Sequence, residues 1–170
     1  MIISIGCDHI VTDQKDHMVK YLEDQGHTVI DNGTYDHVRT HYPIYGKKTA
    51  DKVVSGEADL GIVICGTGVG ISISANKVKG ARAALVRDVE TARYARAELD
   101  ANIISFGGRI VGEGLMENIV DVFLETEYEK TEENAEIIKK MNEFGNEDQI
   151  NNEEFFDEYI EKWEQGVYHD

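Results

Sequence analysis

Basic residues, cysteine, proline and long apolar runs are all scarce in this chain, and each shortage closes off a class of protein. Seventeen lysines and arginines stand against thirty-three acids, for a net charge of −16. No basic stripe is available to neutralise phosphates, so nucleic acid is not an expected partner. Acidity otherwise reports solubility. The two cysteines, Cys7 and Cys65, have no C-x-x-C spacing, and the six histidines are scattered without metal-ligand spacing; no metal site is expected. No apolar run is long enough to span a bilayer, and the start, MIISIGCDH, enters a strand without a basic leader. Neither a membrane span nor a signal peptide is expected, and the cytoplasm is the expected setting. The single proline lies in a polar loop, NGTYDHVRTHYP.

What is present is an ordinary globular composition, 41% hydrophobic and 29% charged, long enough for one domain with some chain left over. Residues 58–70, ADLGIVICGTGVG, organise the rest. Leu60 to Ile64 suit a strand buried on both faces. Cys65 ends the run, and a glycine-rich turn leads into a helix over 71–76. Such a turn aims backbone N–H groups outward beside the positive end of the helix dipole, an arrangement that receives an anion. A thiol at its lip is a candidate nucleophile or base.

Around that stretch, strands are predicted over 2–6, 27–31, 82–86 and 103–106. Helices are predicted from Thr12, with Thr12 and Asp13 as caps, and over 44–55, 89–99 and 112–125. The alternation predicts an α/β fold: a Rossmann-like three-layer αβα arrangement around five parallel strands. Ligands then bind beyond the carboxyl ends of the strands, where Cys7, Asp8, His9 and Cys65 fall. Asp8 and His9 are candidates for the pocket, whereas Cys7, with no glycine turn behind it, is expected in the core. His17 and His27 are expected on surfaces, and His37 and His41 share a loop that can reach the pocket.

The composition shifts after Leu124. From Glu125 to Asp170 there are sixteen acids and four lysines, so this part carries twelve of the sixteen net charges. We expect a Rossmann-like domain over 1–125 and an acidic helical extension over 126–170, with a helix over 132–142, a polar link over 145–154 and a terminal helix. Phe155, Phe156, Tyr159, Ile160 and Trp163 recur there at helical spacing and call for cover, from the same chain or from a partner subunit.

Other readings of the glycine turn stay open on residues alone. It can be a tight connection in which glycines only permit positive φ. It can also be a dinucleotide site, with Asp88 as the ribose acid, although the chain reads G-x-G-x-G and not G-x-G-x-x-G.

GCDH at the first strand, HYPIYGKK, LGIVICGTGVGISISANKVKGARAALVRD and ELDANIISFGGRIVG together resemble the ribose-5-phosphate isomerase B family over most of 1–125. The loop TYDHVRTHYPIYGKK and the ending FFDEYIEKWEQGVYHD are similar to its hetero-oligomeric galactose-6-phosphate isomerase branch. The resemblance implies isomerisation of galactose 6-phosphate and tagatose 6-phosphate through an enediol(ate), without a cofactor. It implies that Cys65 moves the proton, Thr67 assists at the hydroxyls, and the amides of Gly66, Gly68, Val69 and Gly70 hold the oxyanion. Asp8, His9 and Arg109 match substrate-contacting positions, and Arg39 can supply one cation. The departures matter as much. The family's ring-opening histidine aligns with Glu98 and the asparagine after it with Leu99; two phosphate-binding arginines align with Glu132 and Glu136. The resemblance therefore implies half a site, completed by an A-type subunit. A non-catalytic structural subunit is the alternative within that family.

Overall fold

The computed structural model describes residues 1–144 and 152–167, so most of the expected polar link over 145–154 lies outside the described residues, as does His169. Contacts divide the chain into two units, Met1–Lys130 and Thr131–Asp170.

The first unit is a five-stranded parallel sheet: β1 (Ile2–Cys7), β2 (Thr28–Asp31), β3 (Leu60–Cys65), β4 (Ala83–Leu85) and β5 (Ile103–Gly107), in the order β2-β1-β3-β5-β4. Its helices are α1 (Thr12–Asp24), α2 (Tyr42–Val54), α3 (Val69–Asn76), α4 (Val89–Ala97) and α5 (Glu113–Glu125). Strand alternation sorts the core into two layers. Ile3, Ile5, Cys7, Ile62, Ile64 and Phe106 pack with Met18 and Leu22 of α1, Ala92 of α4, and Ile119 and Phe123 of α5. On the opposite face Val63, Cys65 and Ile103 meet Ala50 and Val53 of α2 and Ile71 and Ala75 of α3. Small residues dominate that second face. A Cβ on Gly6 would stand 2.7 Å from the Thr49 hydroxyl, so α2 lies close over β1.

Strand order and layer follow from the handedness of crossovers. The step from β1 to β2 runs one way and puts α1 on one face; the step from β2 to β3 runs back and puts α2 on the other. Between β1 and β3 the chain therefore leaves neighbouring strands toward opposite faces. A crevice opens there at the carboxyl ends.

One expected detail differs. Thr12 and Asp13 do not cap α1, whose preceding residue is Val11 with no side-chain cap bond. A 3-10 turn, His9–Val11, comes first, and the Asp8 carboxylate caps it by accepting from the Ile10 N–H at 3.2 Å. The Thr12 hydroxyl is instead 2.6 Å from that of Thr34.

The second unit contains α6 (Glu132–Glu143), a 3-10 turn (Glu153–Phe156) and α7 (Asp157–Glu164). Phe144, Phe155 and Phe156 meet edge to face at 5.0–5.7 Å, with Lys140 Nζ 3.9 Å from the Phe155 centroid. Trp163 remains 70% exposed and Ile160 49% exposed.

Candidate active site

β3 is buried along its whole length and delivers Cys65 to the carboxyl edge of the sheet. The chain must then turn at once into α3, and Gly68 makes this possible with φ +82°. No side chain fits there: a Cβ would sit 2.5 Å from Leu85 Cδ1 and 2.8 Å from the Phe106 carbonyl carbon. Ser105 locks the turn from below by donating to the Gly68 carbonyl at 2.7 Å.

With the turn held, the Gly68 N–H donates to Cys65 Sγ at 3.1 Å. A thiolate accepts such a bond well and a neutral thiol only weakly. Cys65 is 5% exposed, whereas Thr67 and Val69 stand at the surface. The Thr67 hydroxyl accepts from the Val69 N–H at 3.3 Å. The first i→i−4 bond of α3 is donated by Ser72 to Gly68, so the amides of Gly70 and Ile71 are the orphan donors of the helix start, that of Val69 being held by Thr67.

The neighbouring strands bring in the other expected residues. Cys7 pairs with Ile64 in register, and the Asp8 N–H donates to the Ile64 carbonyl at 2.9 Å. Asp8 Oδ1 lies 2.6 Å from His9 Nδ1, which leaves Nε2 as the ring nitrogen for a ligand. On the other side Cys65 pairs with Gly107, and the Arg109 N–H donates to the Gly66 carbonyl at 3.2 Å. A Cβ on Gly66 would lie 2.9 Å from Ile10 and 4.0 Å from Arg109 Cδ. The ends of β1, β3 and β5 thus converge on Gly66. Arg39 is exposed on the loop that crosses His9: His37 Nδ1 is 3.2 Å from the His9 carbonyl, and the Thr40 N–H is 3.5 Å from His9 Nδ1.

Cys7 is placed quite differently. It is fully buried against the α1 layer, with Sγ 3.3 Å from the Thr34 hydroxyl. Burial pushes its thiol pKa up, against the opposing hydrogen bond from Thr34.

Sequence reasoning missed Tyr42, the first residue of α2. Its ring and hydroxyl lie 2.6–2.9 Å from where a Gly70 Cβ would be, so the phenol covers the glycine turn. Tyr42 in HYPIYGKK carried no local signal beyond an aromatic next to proline. Asp88 accepts from the Thr91 N–H at 2.7 Å and the Thr91 hydroxyl at 2.8 Å as the cap of α4. That engagement removes it as a free ribose acid. Among the described residues no group of three or more His, Cys, Asp or Glu could hold a metal ion, and no helix is long and apolar enough to cross a membrane.

Glu98 does not join this rim. It follows α4, on the way to Asn102, whose carbonyl accepts from the Gly61 N–H at 2.9 Å at the start of β3. Cys65 stands four residues further along the strand, roughly 13 Å at the rise of a parallel strand. Glu98 lines instead an open groove of about 660 Å³ with Glu90, Arg93, Tyr94 and Tyr128.

The family model described as Ribose/Galactose Isomerase matches residues 3–141. Galactose-6-phosphate isomerase subunit LacB of Clostridium acetobutylicum is 67% identical over 99% of this chain and 98% of the relative. Ribose-5-phosphate isomerase B of Escherichia coli is 46% identical over 75% of this chain and 85% of its own length. Among solved structures, Clostridium thermocellum ribose-5-phosphate isomerase B superposes with a TM-score of 0.83 at 44% identity, covering 85% of this chain and 97% of that one.

Proposed function

This chain belongs to the Ribose/Galactose Isomerase family, and on that premise we propose that it is one subunit of a hetero-oligomeric, cytoplasmic aldose–ketose isomerase interconverting galactose 6-phosphate and tagatose 6-phosphate. The observation that carries the chemistry is the Gly68 N–H on Cys65 Sγ, 3.1 Å away, at the mouth of the glycine turn. The choice of sugar rests on the relative that is similar along nearly its whole length.

In this reading Cys65 as thiolate removes the proton from C2 of the open-chain aldose. The electron pair moves toward the carbonyl, and an enediolate forms whose negative oxygen meets the amides of the Gly66–Gly70 turn; the Gly68 N–H joins them as sulfur takes up the proton and accepts less strongly, and the Val69 N–H as it leaves the Thr67 hydroxyl. Return of that proton to C1, with transfer of the O2 proton to O1, gives the ketose. Atoms and charge balance without an outside reductant, and preorganised donors of this kind are worth ~3 kcal/mol each. Thr67 and the Asp8–His9 pair bind the hydroxyls; Arg109 and Arg39 line the approach. The protein's own donors stabilise the intermediate, so no metal or organic cofactor is required.

Ring opening and phosphate binding fall to an A-type partner subunit. Three features support this division. Glu98, the position aligned with the family's ring-opening histidine, lies at the opposite strand end from Cys65. Glu132 and Glu136 put acids where a sugar phosphate, a dianion, calls for arginines. Glu136 is moreover 3.2 Å from Lys162 within the second unit. The acidic segment 126–170 is the further part of the proposal, as an extension that docks on this chain or on the partner. Purified alone, the chain should show almost no turnover of galactose 6-phosphate, and activity should rise and saturate as the partner is titrated in. Full turnover without a partner would overturn the divided site, and none in the assembled complex would overturn the isomerase assignment.

A further inference from the structure

Lys15 carries a charge with no exposed surface, and the proposed chemistry does not use it. Its Nζ is 2.6 Å from Asp31 Oδ2 and 2.6 Å from Asp16 Oδ1, and it lies 5.0 Å from the centroid of the Tyr35 ring. Thr12 and Lys15 are three residues apart on α1 and share its buried face. Together they grip the segment that follows β2 at two points.

Lys15 holds the root. Asp31 Oδ1 accepts from the Gly33 N–H at 2.8 Å, and the Asp31 carbonyl accepts from the Tyr35 hydroxyl at 2.8 Å. The Gly33 carbonyl in turn accepts from the Cys7 N–H at 2.7 Å. Thr12 holds the tip, through the Thr34 hydroxyl at 2.6 Å and the Asp36 carbonyl at 2.9 Å. Beyond the tip, His37 and Thr40 reach the carbonyl and Nδ1 of His9. Hydrogen bonds and an ion pair thus tie Lys15 and Thr12 to the segment that carries His37 and Thr40 over His9.

We propose that Lys15 is a positioning residue, whose ion pair with Asp31 fixes the segment from Asp31 to Thr40 against His9 and so sets the sugar-phosphate-binding face of the site. The proposal rests on the isomerase reading for its kinetic consequence, but not for its structural one. A pair built on a buried lysine suits this task because it is directional and the lysine charge is costly to leave unpaired. Cys65 lies on the other face of the sheet and stands outside the chain of contacts.

Lys15→Met keeps most of the stem and removes the charge; Lys15→Met with Asp31→Asn removes both charges and leaves an amide oxygen to accept from Gly33. The first readout needs no activity. Trypsin cuts after Arg39, which is exposed within the held segment, and mass spectrometry follows that cut in the full chain. Release of the segment should speed it about tenfold while cooperative melting persists. In the assembled isomerase KM for galactose 6-phosphate should rise about tenfold with kcat changed less, and alkylation of Cys65 should keep its rate. Unchanged cleavage would overturn the latch. Faster cleavage with untouched kinetics in an active complex would leave a structural clamp and overturn the positioning role. Loss of cooperative melting in both variants would show that Lys15 holds the whole unit, which also defeats the proposal. A wild-type complex that is inactive overturns the isomerase reading instead, and the tryptic rates still decide whether the latch exists.

Discussion

Cys7 and Cys65 end neighbouring strands, one residue apart in register, and both are buried. They nevertheless occupy opposite faces of the sheet and meet opposite chemistry. Cys7 sits in the apolar layer against α1, with the Thr34 hydroxyl 3.3 Å from its sulfur and its pKa raised by burial. Cys65 faces α3 and receives a backbone N–H from a turn that only glycine permits. Burial alone therefore does not separate an inert thiol from a proposed base. The connection beyond each strand does: β1 runs into a carboxylate-capped 3-10 turn, and β3 into a helix start with unpaired amides.

The largest expected contrast is between the two alanine variants in the assembled complex. Cys65→Ala should lower kcat by about 10²–10⁴-fold, the usual contribution of a positioned base. Cys7→Ala should stay within a few-fold of wild type and cost about 1 kcal/mol of stability, as small buried truncations do. Steady-state kinetics and urea melts on the two variants test this. Comparable loss in both would mean that the wrong thiol carries the chemistry. Near-normal turnover by Cys65→Ala would favour a structural subunit that supports an active partner.

Gly68→Ala sharpens the comparison by changing the surroundings of Cys65 and leaving the thiol in place. The alanine must adopt positive φ, worth about 1–3 kcal/mol of strain, and its methyl meets backbone of β5 at 2.8 Å. Gly26→Ala is the control, since Gly26 has φ +86° but open space around its Cβ position. We expect Gly68→Ala to lose more stability than Gly26→Ala and to lose isomerase activity as the N–H leaves the sulfur. If both variants melted and turned over alike, the turn would matter only as a tight connection.

Much of this was legible from local pattern. The buried run, the cysteine and the glycines predicted β3, the turn and α3 to within two residues, and the alternation of strands and helices predicted the parallel sheet. Asp8 and His9 were legible as strand-end residues, and Arg109 only through the family resemblance; the sheet brings the ends that carry them side by side. What stayed hidden depends on contacts between segments remote in sequence. Tyr42 covers Gly70 only because α2 and α3 pack side by side, and a lysine in KDHMVKYLED looks like any solvated charge until β2 brings Asp31 to it. The cap of α1 was misplaced for a related reason: the hydroxyl of Thr12 is used by Thr34 and Asp36, so the Asp8 carboxylate starts the turn. In the terminal segment the helical spacing of the aromatics matches α7 only in part. Phe155 and Phe156 lie in the 3-10 turn before it, and the rings pack on Phe144, which the pattern did not single out.

The smallest expected effect lies in the alkaline range and isolates Cys7. In the unfolded chain its thiol ionises near the ordinary value, roughly 8.5. In the folded chain burial holds that pKa higher, the hydrogen bond from Thr34 opposing only in part. Below the ordinary value both states keep the proton, and the preference of the core for a neutral thiol contributes in full. As pH rises past it, the unfolded state loses the proton while the folded state retains it. Unfolding then gains by up to about 1.4 kcal/mol per pH unit until the folded thiol ionises as well. Stability from this group is thus present at neutral pH and lost as pH rises through the folded pKa. Cys7→Ala has no such proton to lose. Urea melts under reducing conditions from pH 7 to pH 10 should show the wild-type advantage over Cys7→Ala shrinking above about pH 8.5, other titrating groups cancelling in the difference. Parallel pH profiles would mean that the Cys7 thiol ionises as readily in the folded chain as in the unfolded one, and the environments of the two cysteines would then be more alike than their geometry implies.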